Sequence, residues 1–298
     1  MASATEEKDP FSFNIQLNTD EEYCGFQRPD VVDDYCLDLL LQGRIDRIVH
    51  GHETKDGNPA TLIVFGFRFH GIDKNRRFKR AIVTILFQDE RKRNRADPEV
   101  IALWPNGDFT LGEPTGITVD DTVGGDAGLN LTSGTIVQGG GNASRKWEQK
   151  KSYKKTDRAS LTGSIILDTS IRESGKNNAV RLTINEDTTA TSGLVTDFRA
   201  AVLLRRKNDT DNFLGTVKIK AEANILYNAI RGLRDISGFS PGNDPVKFKP
   251  SQQYLREATL SRFLKDKLAE HIDDENLNTA KLDGLAGVLG TTALATSI

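Results

Sequence analysis

Cysteine, methionine and tryptophan are scarce in this chain of 298 residues, which holds two, one and two of them. Cys24 and Cys36 lie twelve positions apart, a spacing that makes neither a disulfide framework nor a zinc pattern, so free thiols are expected. A long apolar run is missing as well. The stretch nearest to one, residues 282–298, carries Asp283 and three glycines and falls short of the roughly 20 apolar residues a spanning helix needs, so it reads as a docking or frayed tail. No excess of one charge exists, since 40 basic residues face 42 acidic ones. The start, MASATEEKDP, has neither the apolar core of a secretory signal nor the basic character of a mitochondrial presequence, and the expected location is cytoplasmic. The glycan sequons at Asn130, Asn142 and Asn208 carry no weight in a chain of that kind.

The signatures of several chemistries are absent too. There is no Gly-x-Ser-x-Gly elbow for a nucleophilic serine, and Gly139-Gly140-Gly141 lacks the lysine and helix start of a phosphate-binding loop. His50-Gly51-His52-Glu53 puts two imidazoles on one face of a strand, but a metal needs three or more convergent ligands, and solvent-facing histidines are expected. The acidic pairs Asp33-Asp34, Asp120-Asp121 and Asp273-Asp274 read as solvated turns. No cofactor is implied, and enzymatic activity is the less favoured reading, open only to a pocket inside the fold.

What the chain does have is alternation. Thr61 to His70 (TLIVFGFRFH) begins as a continuous apolar run and then places Phe65, Phe67 and Phe69 opposite Gly66, Arg68 and His70. Side chains flip face at every residue of a strand, so this one is expected to be buried on both faces at its start and on one face after that. The turn signal Lys55-Asp56-Gly57-Asn58-Pro59 folds it back onto Gly43 to His52 as a hairpin. Further strands are expected at Phe11–Leu17, Arg77–Phe87, Glu99–Trp104, Phe109–Leu111, Leu161–Leu167, Ala179–Asn185, Phe198–Arg205 and Phe213–Ile225. In the Arg77 strand Ala81, Val83, Ile85 and Phe87 should oppose Phe78, Ile82 and Leu86. Val31 to Leu41 is ambiguous between a short helix and a strand from Leu37 onward.

Many short strands without an amphipathic crossover helix make the fold class mainly β, an antiparallel β-sandwich with a C-terminal helical appendage. The expected divisions are a disordered acidic start over residues 1–10, a sandwich over 11–225, a Gly- and Pro-rich connection over 226–250 and a helical tail over 251–298. In that tail Leu260, Phe263, Leu264, Leu268 and Ile272 recur at helical spacing.

Charge is unevenly laid out. Residues 1–38 are acidic and residues 74–95 basic, which suits either an anionic partner or two regions that face each other within the fold. The second basic run, Arg145 to Arg158, interleaves Trp147 and Tyr153 with Lys146, Lys150, Lys151, Lys154 and Lys155. Aromatics among lysines can combine a stacking or lipid-interface surface with neutralisation of phosphates. The residues expected to bind are therefore Arg76, Arg77, Lys79, Arg80, Lys146, Trp147, Lys150 and Lys151, and the expected partner is a protein or an anionic surface such as lipid headgroups or nucleic acid.

Residues 115–160, rich in Gly, Thr and Ser, support a second function. A long ribbon of small alternating residues is what a β-type pore former unfolds into a membrane, although a lipid-facing apolar row is absent from Thr132 to Lys155. The segments LDLLLQG from Leu37, FRF from Phe67, RFKRA from Arg77, PEV from Pro98 and DPVKFKP from Asp244 occur in that order. Over residues 35–250 they resemble a group of uncharacterised intracellular fungal proteins, and that resemblance implies a cytosolic β protein with no catalytic residues to carry over.

Overall fold

The computed structural model describes residues 26–36, 38–72, 76–93, 95–125, 147–171, 173–224, 245–252, 254, 262–289 and 294–296. The strand expected at Phe11–Leu17 and the helical turns expected over 255–261 lie outside these. Along the chain run β1 (Asp30–Cys36), β2 (Leu39–His52), β3 (Pro59–Gly71), β4 (Phe78–Asp89), β5 (Glu99–Trp104), β6 (Gly107–Gly125), β7 (Trp147–Ile166), β8 (Ala179–Asn185), β9 (Asp197–Arg205), β10 (Phe213–Ala223) and β11 (Val246–Phe248). Helices α1 (Arg262–Ala269) and α2 (Leu282–Leu289) follow, with a 3-10 turn at Leu277–Thr279 between them, and then β12 (Leu294–Thr296).

Two antiparallel sheets pack face to face. One has the order β1-β2-β3-β9-β5 and the other β11-β10-β4-β8-β7-β6-β12. The β2–β3 hairpin has the expected register, with His52 opposite Pro59 and Gly43 opposite Phe67. Val31 to Cys36 is a strand rather than the approach to one; it folds back on β2 with Cys36 opposite Leu39, through a turn in which Asp38 takes a positive φ of 59°.

Phe65, Phe67 and Phe69 all point between the sheets, each at most 3% exposed. Phe65 meets Phe87 of the facing sheet at 6.5 Å between ring centroids, and Phe67 meets Phe198 at 5.2 Å. Phe78 departs from the expected alternation. Partners of β10 jump from Arg80 to Phe78, so the ladder slips by one residue at Lys79 and turns Phe78 inward, edge-on to Phe69 at 5.7 Å. A bulge re-aims one side chain without breaking the sheet.

The alternate residues of β3 are apolar because a second layer covers them. Leu62 and Val64, with Ala201 and Leu203 of β9, pack against Leu268 of α1, Leu277 of the 3-10 turn and Leu285 of α2. The C-terminal segment is thus docked, and His52 N donates to the Asp274 carbonyl at 2.9 Å to hold it there. Gly51 permits that approach, since a Cβ at this position would sit 2.0 Å from the Asp274 oxygen. The outer face of the other sheet carries no helix among the described residues and is polar, with Arg181, Lys218, Lys220 and Glu222 exposed.

Candidate functional site

β6 and β7 are far longer than the sheet they belong to. Their first pairs, Gly107 opposite Gly163 through Leu111 opposite Ala159, lie inside it. On one side β8 pairs with β7 only over Ser160–Ile166, and on the other β12 pairs with β6 only over Phe109–Leu111. Then the register shifts between Leu111 and Thr115, across Gly112, Glu113 and Pro114. Proline has no N–H to give to a ladder and so favours such a bulge.

Past the bulge the two strands go on alone. Eleven consecutive pairs, Thr115 opposite Asp157 through Gly125 opposite Trp147, form a ribbon with no third strand on either side among the described residues. At roughly 3.4 Å per residue the ribbon is about 34 Å long. The register places Ile117, Val119, Val123, Tyr153 and Trp147 in one row, together with Asp121, Gln149, Lys151 and Lys155. Thr118, Asp120, Thr122, Glu148, Lys150, Ser152 and Lys154 occupy the other.

The start of the first basic run, Arg76 to Arg80, and the base of the second lie at one end of the seven-stranded sheet, whereas Arg91 to Arg95 follow the other end of β4. Arg80 is opposite Asn185, Asn185 is opposite Ser160 and Ser160 is opposite Thr110, so the start of β4 stands beside the place where the ribbon leaves. The topology brings together what sequence separates by some seventy residues, and it also divides the predicted set. Lys79 and Arg80 are exposed there. Arg76 and Arg77, by contrast, are engaged within the fold: Arg76 Nη1 lies 3.4 Å from Asp38 Oδ2, and Arg77 Nε donates to Glu186 Oε2 at 2.8 Å. Glu186 is 5% exposed and also accepts the Gly193 N–H at 3.1 Å. Part of the sequence's charge asymmetry is therefore internal pairing. Trp147, Lys150 and Lys151 are on the ribbon, and Lys146 lies outside the described residues.

Two features at this end escaped the sequence reading. Ile72, just past β3, is 54% exposed, and its N–H donates to the Asp38 carbonyl at 2.8 Å, so the turn displays it. On the outer face of the five-stranded sheet, Arg44, Asp46, Arg199 and Asp197 form an alternating ion network, with Arg44 Nε to Asp46 at 3.0 Å, Arg199 Nε to Asp46 at 2.5 Å and Arg44 Nη2 to Asp197 at 3.1 Å. Gly66 beneath it leaves the space that these side chains fill.

The histidines do not meet. His50 is not solvent-facing as expected: its ring is held between Thr61 Oγ1 at 2.9 Å and Gln27 Oε1 at 2.7 Å. Burial first, and then the neighbouring Arg206 cation, lower its pKa to about 3, so the ring is neutral at ordinary pH. His52 instead faces Asp209 at 3.1 Å. Among the described residues no group of three or more His, Cys, Asp or Glu is arranged to hold a metal. None of their helices is long and apolar enough to cross a membrane, a fact that does not bear on strands.

No protein-family model matches this chain. No curated protein matches it either. Among solved structures, the Clostridium perfringens NetB toxin in its membrane-inserted form matches at 9% identity with a TM-score of 0.20, over 65% of this chain and 92% of that one. A likeness that slight carries no argument about fold or activity.

Proposed function

We propose that this protein acts on membranes, meeting anionic headgroups with the end of the sandwich that bears Ile72, Lys79 and Arg80 and reaching into the bilayer with the β6–β7 hairpin. The observation that carries the reading is the ribbon itself, eleven registered pairs beyond the last supporting strand. A lone two-stranded ribbon is marginal in water because half of its backbone groups on each strand lack a ladder partner. Inside a bilayer those groups must be satisfied, and closed barrels of paired hairpins satisfy them.

Charge assigns depths along the hairpin. β7 has lysines in both rows, Lys151 and Lys155 in one and Lys150 and Lys154 in the other, so no rotation of the ribbon turns all of them away from lipid. A lysine at the bilayer midplane costs about 2–4 kcal/mol, whereas one at the interface costs almost nothing. The lysines, with Trp147 and Tyr153 as interfacial aromatics, favour the headgroup region over the bilayer midplane. The sequence linking the two strands, residues 127–144, contains no charged side chain.

Dye-loaded vesicles containing phosphatidylserine test this. Leakage is expected with the full chain and should be lost when residues 115–157 are replaced by a short Gly-Ser turn. Vesicles that stay sealed with the full chain and with a chain lacking the C-terminal tail would end the reading. The lysines in both rows also favour a second one, in which the same end docks on an anionic surface or protein as a non-enzymatic interaction module and never inserts. Salt-sensitive binding without leakage is its signature.

A further inference from the structure

Two neighbours of the long strands stop one rung apart, β8 at Ser160, which is opposite Thr110, and β12 at Leu111. Leu111 of β6 has Ala159 on one side and Leu294 on the other, and one bulge later β6 has only β7 among the described residues. The outer edge of β6 thus runs from Phe109 to Gly125 as one line, of which the chain's own C-terminal strand covers three residues. We propose that this edge is the docking surface for a second copy of the chain, and that β12 occupies its base until displaced. The inference rests on the membrane reading above only for where assembly would be used.

The partner is a second copy because this chain itself carries the complementary edge. β7 pairs with β8 only from Ser160 onward, which leaves its own outer edge open over 147–157 among the described residues. Edge to edge, β6 of one copy lies antiparallel to β7 of the next, and the contact repeats head to tail, the kind of interface that closes into a ring. Charge favours it. Between Thr115 and Gly125 β6 carries Asp120 and Asp121 and no base, while β7 from Trp147 to Asp157 carries four lysines against Glu148 and Asp157. Opposite charges facing each other across a strand pair attract, and the same arrangement disfavours β6 against β6 or β7 against β7. β12 is suited to leave: it makes three residue pairs where β8 makes seven with β7.

The test locks the edge. With Cys24→Ser and Cys36→Ser as background, Thr110→Cys and Ala295→Cys place two thiols at directly paired positions of β6 and β12. In sedimentation with phosphatidylserine vesicles extracted into mild detergent, the oxidised chain should run as a single copy and the reduced chain as a multimer. A chain ending after Leu289 should assemble without vesicles, and adding Asp120→Lys and Asp121→Lys should return it to a single copy. Equal assembly of the oxidised and reduced forms overturns the proposal, as does a truncated chain with native circular dichroism that stays single. If truncation prevents folding, the locked full chain decides alone. Assembly that leaves vesicles sealed sinks the membrane reading and leaves the docking edge standing; leakage by the oxidised chain does the reverse.

Discussion

Arg77 donates to Glu186 at 2.8 Å, and the carboxylate that receives it is 5% exposed. A residue that looks in sequence like part of a binding patch is a partner that keeps a buried charge neutralised. Lys79 and Arg80, two and three positions on, are by contrast exposed.

Arg77→Ala should therefore destabilise the protein by about 2–3 kcal/mol, below the range for a fully buried pair because Arg77 is itself partly exposed. Lys79→Ala with Arg80→Ala should change stability by less than about 0.5 kcal/mol per site. Urea denaturation checks both. The same lysine and arginine changes, and not a stability-matched core change, should weaken binding to phosphatidylserine vesicles.

Binding through that end should fall as salt rises. Exposed charges are screened beyond about 10 Å at 0.1 M salt, so the vesicle-bound fraction should drop between low and physiological ionic strength. A co-sedimentation series in potassium chloride measures it. A flat profile would mean that the lysines of β7 and the start of β4 are not the contacts.

His50 should make the fold acid-sensitive. Its pKa is about 3 in the fold against 6.5 for the free side chain, so between those values the unfolded chain binds a proton that the folded one refuses. Stability from this group is complete above pH 6.5 and is lost as pH falls toward 3, at a slope of up to about 1.4 kcal/mol per pH unit. His50→Gln, which does not titrate, should flatten that part of a plot of denaturation midpoint against pH.

Docking of the C-terminal helices should be worth a measurable share of stability. Leu285 is fully buried in the cluster with Leu62 and Val64, and Leu285→Ala should destabilise by about 2–4 kcal/mol. Gly51→Ala should act in the same direction from the other side of the contact, by forcing the Asp274 carbonyl away. Thermal unfolding followed by circular dichroism reads both. A Leu285→Ala chain that melts like the parent would show that this layer is not coupled to the sandwich.

Much of the architecture was legible in advance. β3, β4 and β10 follow from period-2 patterns, β8 and β9 lie where strands are expected, and the doubly apolar start of β3 requires the cover it has on both faces. β1 was ambiguous because DVVDDYC is short and acidic, and only its pairing with Leu39–Arg44 makes it extended. Phe78 was assigned to the wrong face because a one-residue bulge leaves no mark in composition. At the candidate site, the lysines and Trp147 can be named from sequence, whereas the Gly/Thr/Ser-rich stretch reads equally as a long ribbon or a loop, and its pairing as extensions of β6 and β7 comes from the structure. The ion pairs of Arg76 and Arg77 cannot be named from sequence either, since Asp38 and Glu186 reach them only through the folding of distant strands.

The chain's own pattern of apolar and polar residues determined that it would be a two-layer β protein and which side of most strands faces inward, because burial acts on each residue as it alternates. Only the tertiary structure decided which strands are neighbours, and hence that β8 stops at Ser160 and β12 at Leu111 while β6 and β7 run on. Ladder pairing is a contact between segments remote in sequence, and its end is set by the lengths of the partners rather than by anything in the strand that continues.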